Sequence, residues 1–160
     1  MPNKILDLVY RTHCEGKEKT VIMTDFLIKY DRTDLCEESA ETLKFFDKHI
    51  PIHFAYEELV INALLDSGKL EAGEATDMKK ILDEHGILKK NFDKIQVMAS
   101  DREKIGPWNK EEFARVLNET LAALLKHAEF EDKSLFPLAE RKLDENTINA
   151  LEKEMLKIIY

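Results

Sequence analysis

The chain has 160 residues, enough for one domain with a substantial apolar core, and we expect a single domain spanning residues 1–160. Five glycines and four prolines are few for the many turns of an all-β fold, whereas long stretches are rich in the helix formers Ala, Leu, Glu and Lys. The formal net charge of −8 argues against a nucleic-acid or anionic-membrane partner, because no dense basic stripe offsets phosphate repulsion.

The N-terminal stretch, MPNKILDLVYRTH, has neither the continuous apolar region nor the cleavage site of a signal peptide. No later window reaches the roughly 20 apolar residues of a membrane span. The two cysteines, Cys14 and Cys36, are too few for a disulfide framework and are expected to be reduced. We therefore expect a cytoplasmic protein without a membrane partner.

Apolar residues recur at intervals of three and four over four long windows, which predicts four amphipathic helices. The first covers about residues 4–30, with its stripe interrupted by GKEK at 16–19. The second covers about 35–66, and Pro51 within it is expected to bend the helix just before His53.

The third window covers about 74–100 and the fourth about 110–135, where Pro137 is expected to end or kink the helix. A last short helix is expected from about Asp144. Helices of comparable length joined by short loops predict an all-α, up-down-up-down four-helix bundle with a short extra C-terminal helix.

Each long apolar stripe is interrupted near its middle by a residue that binds metals well. The six residues, with at least one on each long helix, are His13, His53, Glu57, His85, His127 and Glu131. Residues i and i+4 share a helix face, so each His/Glu pair points in one direction. A buried carboxylate costs several kcal/mol or more unless it is compensated. Imidazole and carboxylate together suit iron, manganese or zinc, and two carboxylates can bridge two ions.

Other interpretations of these residues are weaker. A single histidine on an apolar face is more often a hydrogen-bonded core residue, but here four of the five histidines lie on inner faces of four helices. The Glu-x-x-His motif of ferritin-like di-iron bundles is absent, as is HExxH. No hydrolase nucleophile motif or phosphate-binding glycine loop occurs.

Three segments, HFAYEE (53–58), DEH (83–85) and HAEFEDKSLFPLAE (127–140), resemble in order and spacing the haemerythrin-like, or HHE cation-binding, family. The resemblance covers roughly His13 to Leu138. It implies a four-helix bundle around a non-haem di-iron centre. The terminal ligands that it implies are His13, His53, His85 and His127. The bridging carboxylates that it implies are Glu57 and Glu131.

The sequence departs from the family's pattern at three places. Many members have an acidic residue before the first histidine, which YRTHCEG lacks. Lys89 stands where oxygen carriers have a second histidine on the third helix. This difference implies one more coordination position open to water, O2, NO or peroxide, unless His49 fills it; His49 otherwise lies at the surface or beside a ligand.

The third departure concerns the carboxylate on the fourth helix. Oxygen carriers bridge with an aspartate five residues after the last histidine, a spacing that Asp132 matches. Glu131 instead repeats the i+4 spacing of His53 and Glu57, and we expect it to be the bridge. Tyr10, Tyr56 and Glu58 are expected neighbours of the site.

The resemblance implies a protein with two iron ions that binds or reduces O2, NO or peroxide in sensing, stress response or iron handling. Iron–sulfur cluster repair is another role known among relatives, and whether the protein is an enzyme stays open. Zinc or manganese would suit the same ligands. A metal-free interaction module is the alternative, but Glu57 and Glu131 argue against it, because such a core would gain from apolar residues there.

Overall fold

The computed structural model describes residues 11, 13–19, 37–101 and 110–159, and all regular secondary structure in these ranges is helical. We label the helical residues 13–19 α1. The other four helices are α2 (Glu37–Asp66), α3 (Ala72–Asp101), α4 (Lys110–Lys142) and α5 (Glu145–Ile159). The prediction of an all-α bundle with an extra C-terminal helix is confirmed. The remainder of the first predicted window lies outside the described residues.

Two apolar clusters fill the core and show how the helices run. The Phe46 cluster joins the start of α2, the end of α3 and the start of α4, with Phe46, Phe92 and Phe113 among its members. The Leu64 cluster joins the end of α2, the start of α3 and the end of α4, and α5 adds Leu151 and Met155 to it. Therefore α2 runs antiparallel to α3 and parallel to α4.

The direction of α1 follows from its contacts with α2. His13 lies beside Glu57, whereas Lys19, six residues later, has its Nζ 5.6 Å from the ring centroid of Phe45. The two helices therefore run in opposite directions. With the order of the other three helices, this gives an up-down-up-down bundle.

Local signals set the observed helix ends. After α2, the Ser67 hydroxyl donates to the Leu64 carbonyl at 2.6 Å, and Gly68 takes a φ of 70°, which is strained for other residues. The Glu71 N–H donates to Glu74 at the start of α3, and the Thr147 N–H donates to Asp144 at the start of α5. Side-chain acceptors of this kind satisfy the unpaired N–H groups of a first helical turn.

Of the two outcomes expected at Pro137, an end or a kink of the helix, an end near Leu135 is wrong, because α4 continues through Pro137 to Lys142. Pro137 lacks one backbone N–H but lies on the exposed face. The opposite face buries Leu138 and Ala139 in the Leu64 cluster, and this packing offsets the missing hydrogen bond. Among the described residues, no helix is long and apolar enough to cross a membrane.

Candidate metal centre

The six residues singled out in the sequence come together in the middle of the bundle, between the Phe46 and Leu64 clusters. They are contributed by α1 (His13), α2 (His53 and Glu57), α3 (His85) and α4 (His127 and Glu131). Five of the six are buried, and both glutamates are 0% exposed. The exception is His53, whose side chain is 12% exposed.

These residues form two groups of four, and the donor atoms within each group lie within 4.8 Å of one another. Both groups contain Glu57 and Glu131. We call the group with His13 and His53 the His13–His53 half, and the group with His85 and His127 the His85–His127 half. Two donor sets that share two carboxylates are the arrangement expected for a pair of metal ions.

Glu57 reaches both halves with different oxygens. Its Oε1 lies 2.7 Å from His13 Nε2 and 2.6 Å from His53 Nε2. Its Oε2 lies 3.1 Å from His85 Nε2. One carboxylate thus presents one oxygen to each half.

Glu131 does the same from the opposite side of the bundle. Its Oε2 lies 2.8 Å from His13 Nε2. Its Oε1 lies 2.6 Å from His127 Nε2 and 3.1 Å from His85 Nε2.

Three buried atoms at the centre have no hydrogen-bond partner among the described residues: Glu57 Oε2, His127 Nε2 and Glu131 Oε2. Histidine and glutamate atoms lie close to these three atoms, but not in a direction that allows a hydrogen bond. Buried polar atoms are rarely left unpaired, because each costs free energy. Nitrogen and carboxylate lone pairs that converge without bonding each other fit a site for iron, manganese or zinc.

The electrostatics couple imidazoles and carboxylates tightly. Burial lowers the pKa of His13, but its close polar contacts with Asp132, Glu131 and Glu57 outweigh burial and raise that pKa to about 11. Burial likewise lowers the pKa of His85, and its contacts with Glu131 and Glu57 raise it to about 9.

The two carboxylates respond in the opposite direction. Burial raises the pKa of Glu57, but the charge of His53 and hydrogen bonds from the histidines bring it well below 4.5. Burial and the charge of Glu57 raise the pKa of Glu131, and close polar contacts with its three histidines bring it below its usual value. Both carboxylates are therefore ionised at neutral pH and able to bind a cation.

A family model described as Hemerythrin HHE cation binding domain matches residues 22–139, and a second, overlapping match covers 76–159. The chain belongs to this family. The first match spans more than half of the chain and includes five of the six centre residues, while His13 lies before it. Neither the curated proteins nor the solved structures contain a significant match.

Around this haemerythrin-like centre lies a set of acidic residues that the sequence reasoning did not assign. The Nδ1 atom of His85 is 3.1 Å from Glu58, that of His127 is 2.6 Å from Glu84, and that of His13 is 3.0 Å from Asp132. Sequence reasoning placed Glu58 near the site without a role and gave Glu84 no part. The signal that identifies them is adjacency, since each directly precedes or follows a centre residue in the chain.

The residues left open in the sequence also have clear positions. Asp132 faces outward to His13 Nδ1 and Lys17 and belongs to neither group of four, whereas Glu131 belongs to both. His49 belongs to neither group, and its ring packs on Phe45 with centroids 4.3 Å apart.

Of the other residues named from the sequence, Lys89 and Tyr56 lie among the described residues. Lys89 directs its Nζ to Glu58 at 3.1 Å. Tyr56 is buried in the Leu64 cluster. Tyr10 lies outside the described residues.

A small cavity of about 50 Å³ adjoins the haemerythrin-like centre on one side. Its walls are mostly apolar and include Phe46, Phe54 and Ala128, together with His13, His53 and His127. Admitting a single water takes roughly 10–15 Å³, so this space is large enough for a diatomic molecule.

Proposed function

We propose that this haemerythrin-like protein holds two iron ions and uses them to bind or reduce a small ligand, namely O2, NO or peroxide. In this proposal His13 and His53 bind one ion and His85 and His127 bind the other. Glu57 and Glu131 bridge the two. The observation that carries the proposal is that each carboxylate directs one oxygen to each histidine pair, as a bridging ligand must.

The protein's own groups fix the properties of such a centre. Two anionic carboxylates and four neutral imidazoles supply a charge of −2, which partly neutralises two divalent cations in a buried site. When bound, the iron pair would supply electrons and open coordination positions. The histidines must release their Nε2 protons to bind an ion, so metal binding competes with protonation.

The cavity supports a small and uncharged ligand. The mostly apolar walls accept O2 or NO without the desolvation cost that a charged molecule would meet there. Phe46, Phe54 and Ala128 line the cavity together with His53, the most exposed residue of the centre. We place the protein in the cytoplasm, where the exposed Cys14 thiol would stay reduced.

Elemental analysis of the protein purified without added metal tests the proposal most directly. The expected result is about two iron atoms per chain. Zinc or manganese at the same stoichiometry would overturn the choice of iron and keep the centre. Folded protein that contains no metal and takes up none from ferrous iron would leave the metal-free interaction module as the better explanation.

The reaction is tested by adding one ligand at a time to the iron-loaded protein. A reversible change of the visible spectrum with O2 or NO would favour a sensing role. Turnover of peroxide would favour a stress response and would make the protein an enzyme. Loaded iron whose spectrum none of the three ligands alters would favour iron handling or cluster repair.

A further inference from the structure

Three of the four centre histidines donate a hydrogen bond outward, each to a carboxylate on a neighbouring helix. Glu58 on α2 accepts from His85 on α3, and Glu84 on α3 accepts from His127 on α4. Asp132 on α4 accepts from His13 on α1. The three bonds therefore link α2 to α3, α3 to α4 and α4 to α1 in sequence around the bundle.

Helix geometry explains the position of each acid in the sequence. One residue turns an α-helix by about 100°, so the neighbour of an inward-facing residue points towards an adjacent helix. Glu58 and Asp132 follow a centre residue, whereas Glu84 precedes one. Because α3 runs opposite to α2 and α4, a backward step on α3 and a forward step on the other two turn the side chain in the same sense.

Each of these acids also contacts a lysine. Lys89 lies 3.1 Å from Glu58, Lys17 contacts Asp132, and Lys80 lies 3.9 Å from Glu84. The acids themselves are between 24% and 32% exposed, at the edge of the helix interfaces. A lysine on the outer side of each carboxylate favours the orientation in which an oxygen faces the ring.

We propose that Glu58, Glu84 and Asp132 are positioning residues, each of which orients one histidine of the centre. A carboxylate accepts but does not donate, so the proton of the ring must stay on Nδ1. When Nε2 releases its own proton to bind an ion, its lone pair is directed to the side of the ring where the shared glutamates lie. Outer carboxylates of this kind also make the imidazole a stronger electron donor to a cation.

This inference rests on the proposed function and assigns an acid to each of three histidines. The test is a set of glutamine and alanine variants at Glu84, with Asp83→Asn as the control. Asp83 is an exposed carboxylate on the same helix, directly beside Glu84. Ferrous iron is titrated anaerobically against a competing chelator in the wild type and in each variant.

We expect Glu84→Gln to lower the affinity for one of the two ions about 10-fold and Glu84→Ala to lower it up to about 100-fold. Asp83→Asn should leave both affinities unchanged. Wild-type affinity in Glu84→Ala would overturn the inference, provided that the wild type binds iron. A wild type that binds no iron would instead overturn the proposed function.

A second measurement separates positioning from general support of the fold. Proton exchange of the histidine ring N–H groups is followed by NMR in metal-free protein, prepared with a chelator. This measurement needs no bound metal. Glu84→Gln should speed exchange at His127 alone, and Glu58→Gln at His85 alone. Equal acceleration at all histidines in both variants would show a general loss of structure and overturn the inference.

Discussion

The two halves of the centre share both carboxylates but differ in what surrounds their histidines. In the His85–His127 half both rings are buried and both are held from outside by a glutamate. His85 also stacks on Phe54, with ring centroids 4.0 Å apart and the planes within 8°. The cavity is lined by both histidines of the His13–His53 half but only by His127 of the other half, and His53 is the most exposed of the six residues.

The difference separates two requirements of one centre. A rigid half keeps its donor atoms in place and lowers the cost of organising them when a metal binds. A half beside a cavity gives a small molecule a route to the metal. We therefore expect the His85–His127 half to dominate stability and metal retention, and the His13–His53 half to control ligand access.

The largest effect, on metal content, is expected from a residue that both halves share. Glu131→Gln removes the charge of a carboxylate that contacts three histidines in both halves, so metal content should fall from about two ions per chain to less than one. Elemental analysis measures this. Glu129→Gln, at an exposed position two residues earlier, is the control and should retain both ions. Two ions retained in Glu131→Gln would exclude it as a bridge.

Replacing one histidine in each half should expose the asymmetry. His85→Ala removes one histidine partner from each of the two buried carboxylates and removes the ring packed on Phe54, so the free energy of unfolding should fall by about 3 kcal/mol. His53→Ala, at a partly exposed position, should cost about 1 kcal/mol. Urea unfolding of the two variants and the wild type, all freed of metal with a chelator, measures both values. Equal losses would contradict the rigid half that we describe.

The pH dependence of the stability of the metal-free protein should also distinguish the two halves. The pKa of His85 is raised from 6.5 to about 9 and that of His13 to about 11, so the folded chain holds these protons more tightly than the unfolded chain. Their contribution to stability is fully present below pH 6.5 and is lost as pH rises through 9 and then 11.

At acidic pH the stability depends instead on the two shared carboxylates, Glu57 and Glu131. The pKa values of Glu57 and Glu131 are lowered, so their contribution is present above about pH 4.5 and is lost as pH falls. The melting temperature should therefore be highest between about pH 5 and 6.5 and fall in two alkaline stages, the first from His85. A melting temperature that rises above pH 9 would contradict the assigned contacts.

The smallest effect is expected from narrowing the cavity. Ala128→Leu adds three carbon atoms to the cavity wall. If the larger side chain raises the barrier to ligand entry by about 1.4 kcal/mol, NO binding to the iron-loaded protein slows tenfold. Stopped-flow spectroscopy gives the rate, and metal content should stay the same. Ala122→Leu, at an exposed position on the same helix, is the matched control. An unchanged rate in Ala128→Leu would show that ligands enter elsewhere.

The bundle and the inner residues could be predicted because they depend on periodicity. Helical repeats identified α2 to α5 and placed His85 and the two His/Glu pairs on inner faces, since spacing alone decides which residues share a face. Whether α4 would end at Pro137 or continue through it could not be decided from the sequence. It depends on packing of Leu138 and Ala139 against other helices, which overrides the local signal.

The hydrogen bonds between the outer acids and the histidines escaped prediction for a different reason. A periodicity argument sorts positions into core and solvent, but Glu58, Glu84 and Asp132 lie between the two, at helix interfaces. Their partners are 27, 43 and 119 residues away in the chain. Only the relative rotation and direction of neighbouring helices determine these pairs.

The parallel course of α2 and α4 gives the centre an approximate two-fold symmetry. A half-turn about the bundle axis exchanges α2 with α4, and α1 with α3, because each pair runs in the same direction. It carries His53, Glu57 and Glu58 onto His127, Glu131 and Asp132, at equal spacings along their helices. His13 and His85 exchange in the same way. Two chemically equivalent donor sets thus arise from a chain without an internal repeat, and they differ in that both His13 and His53 line the cavity but only His127 of the other pair does.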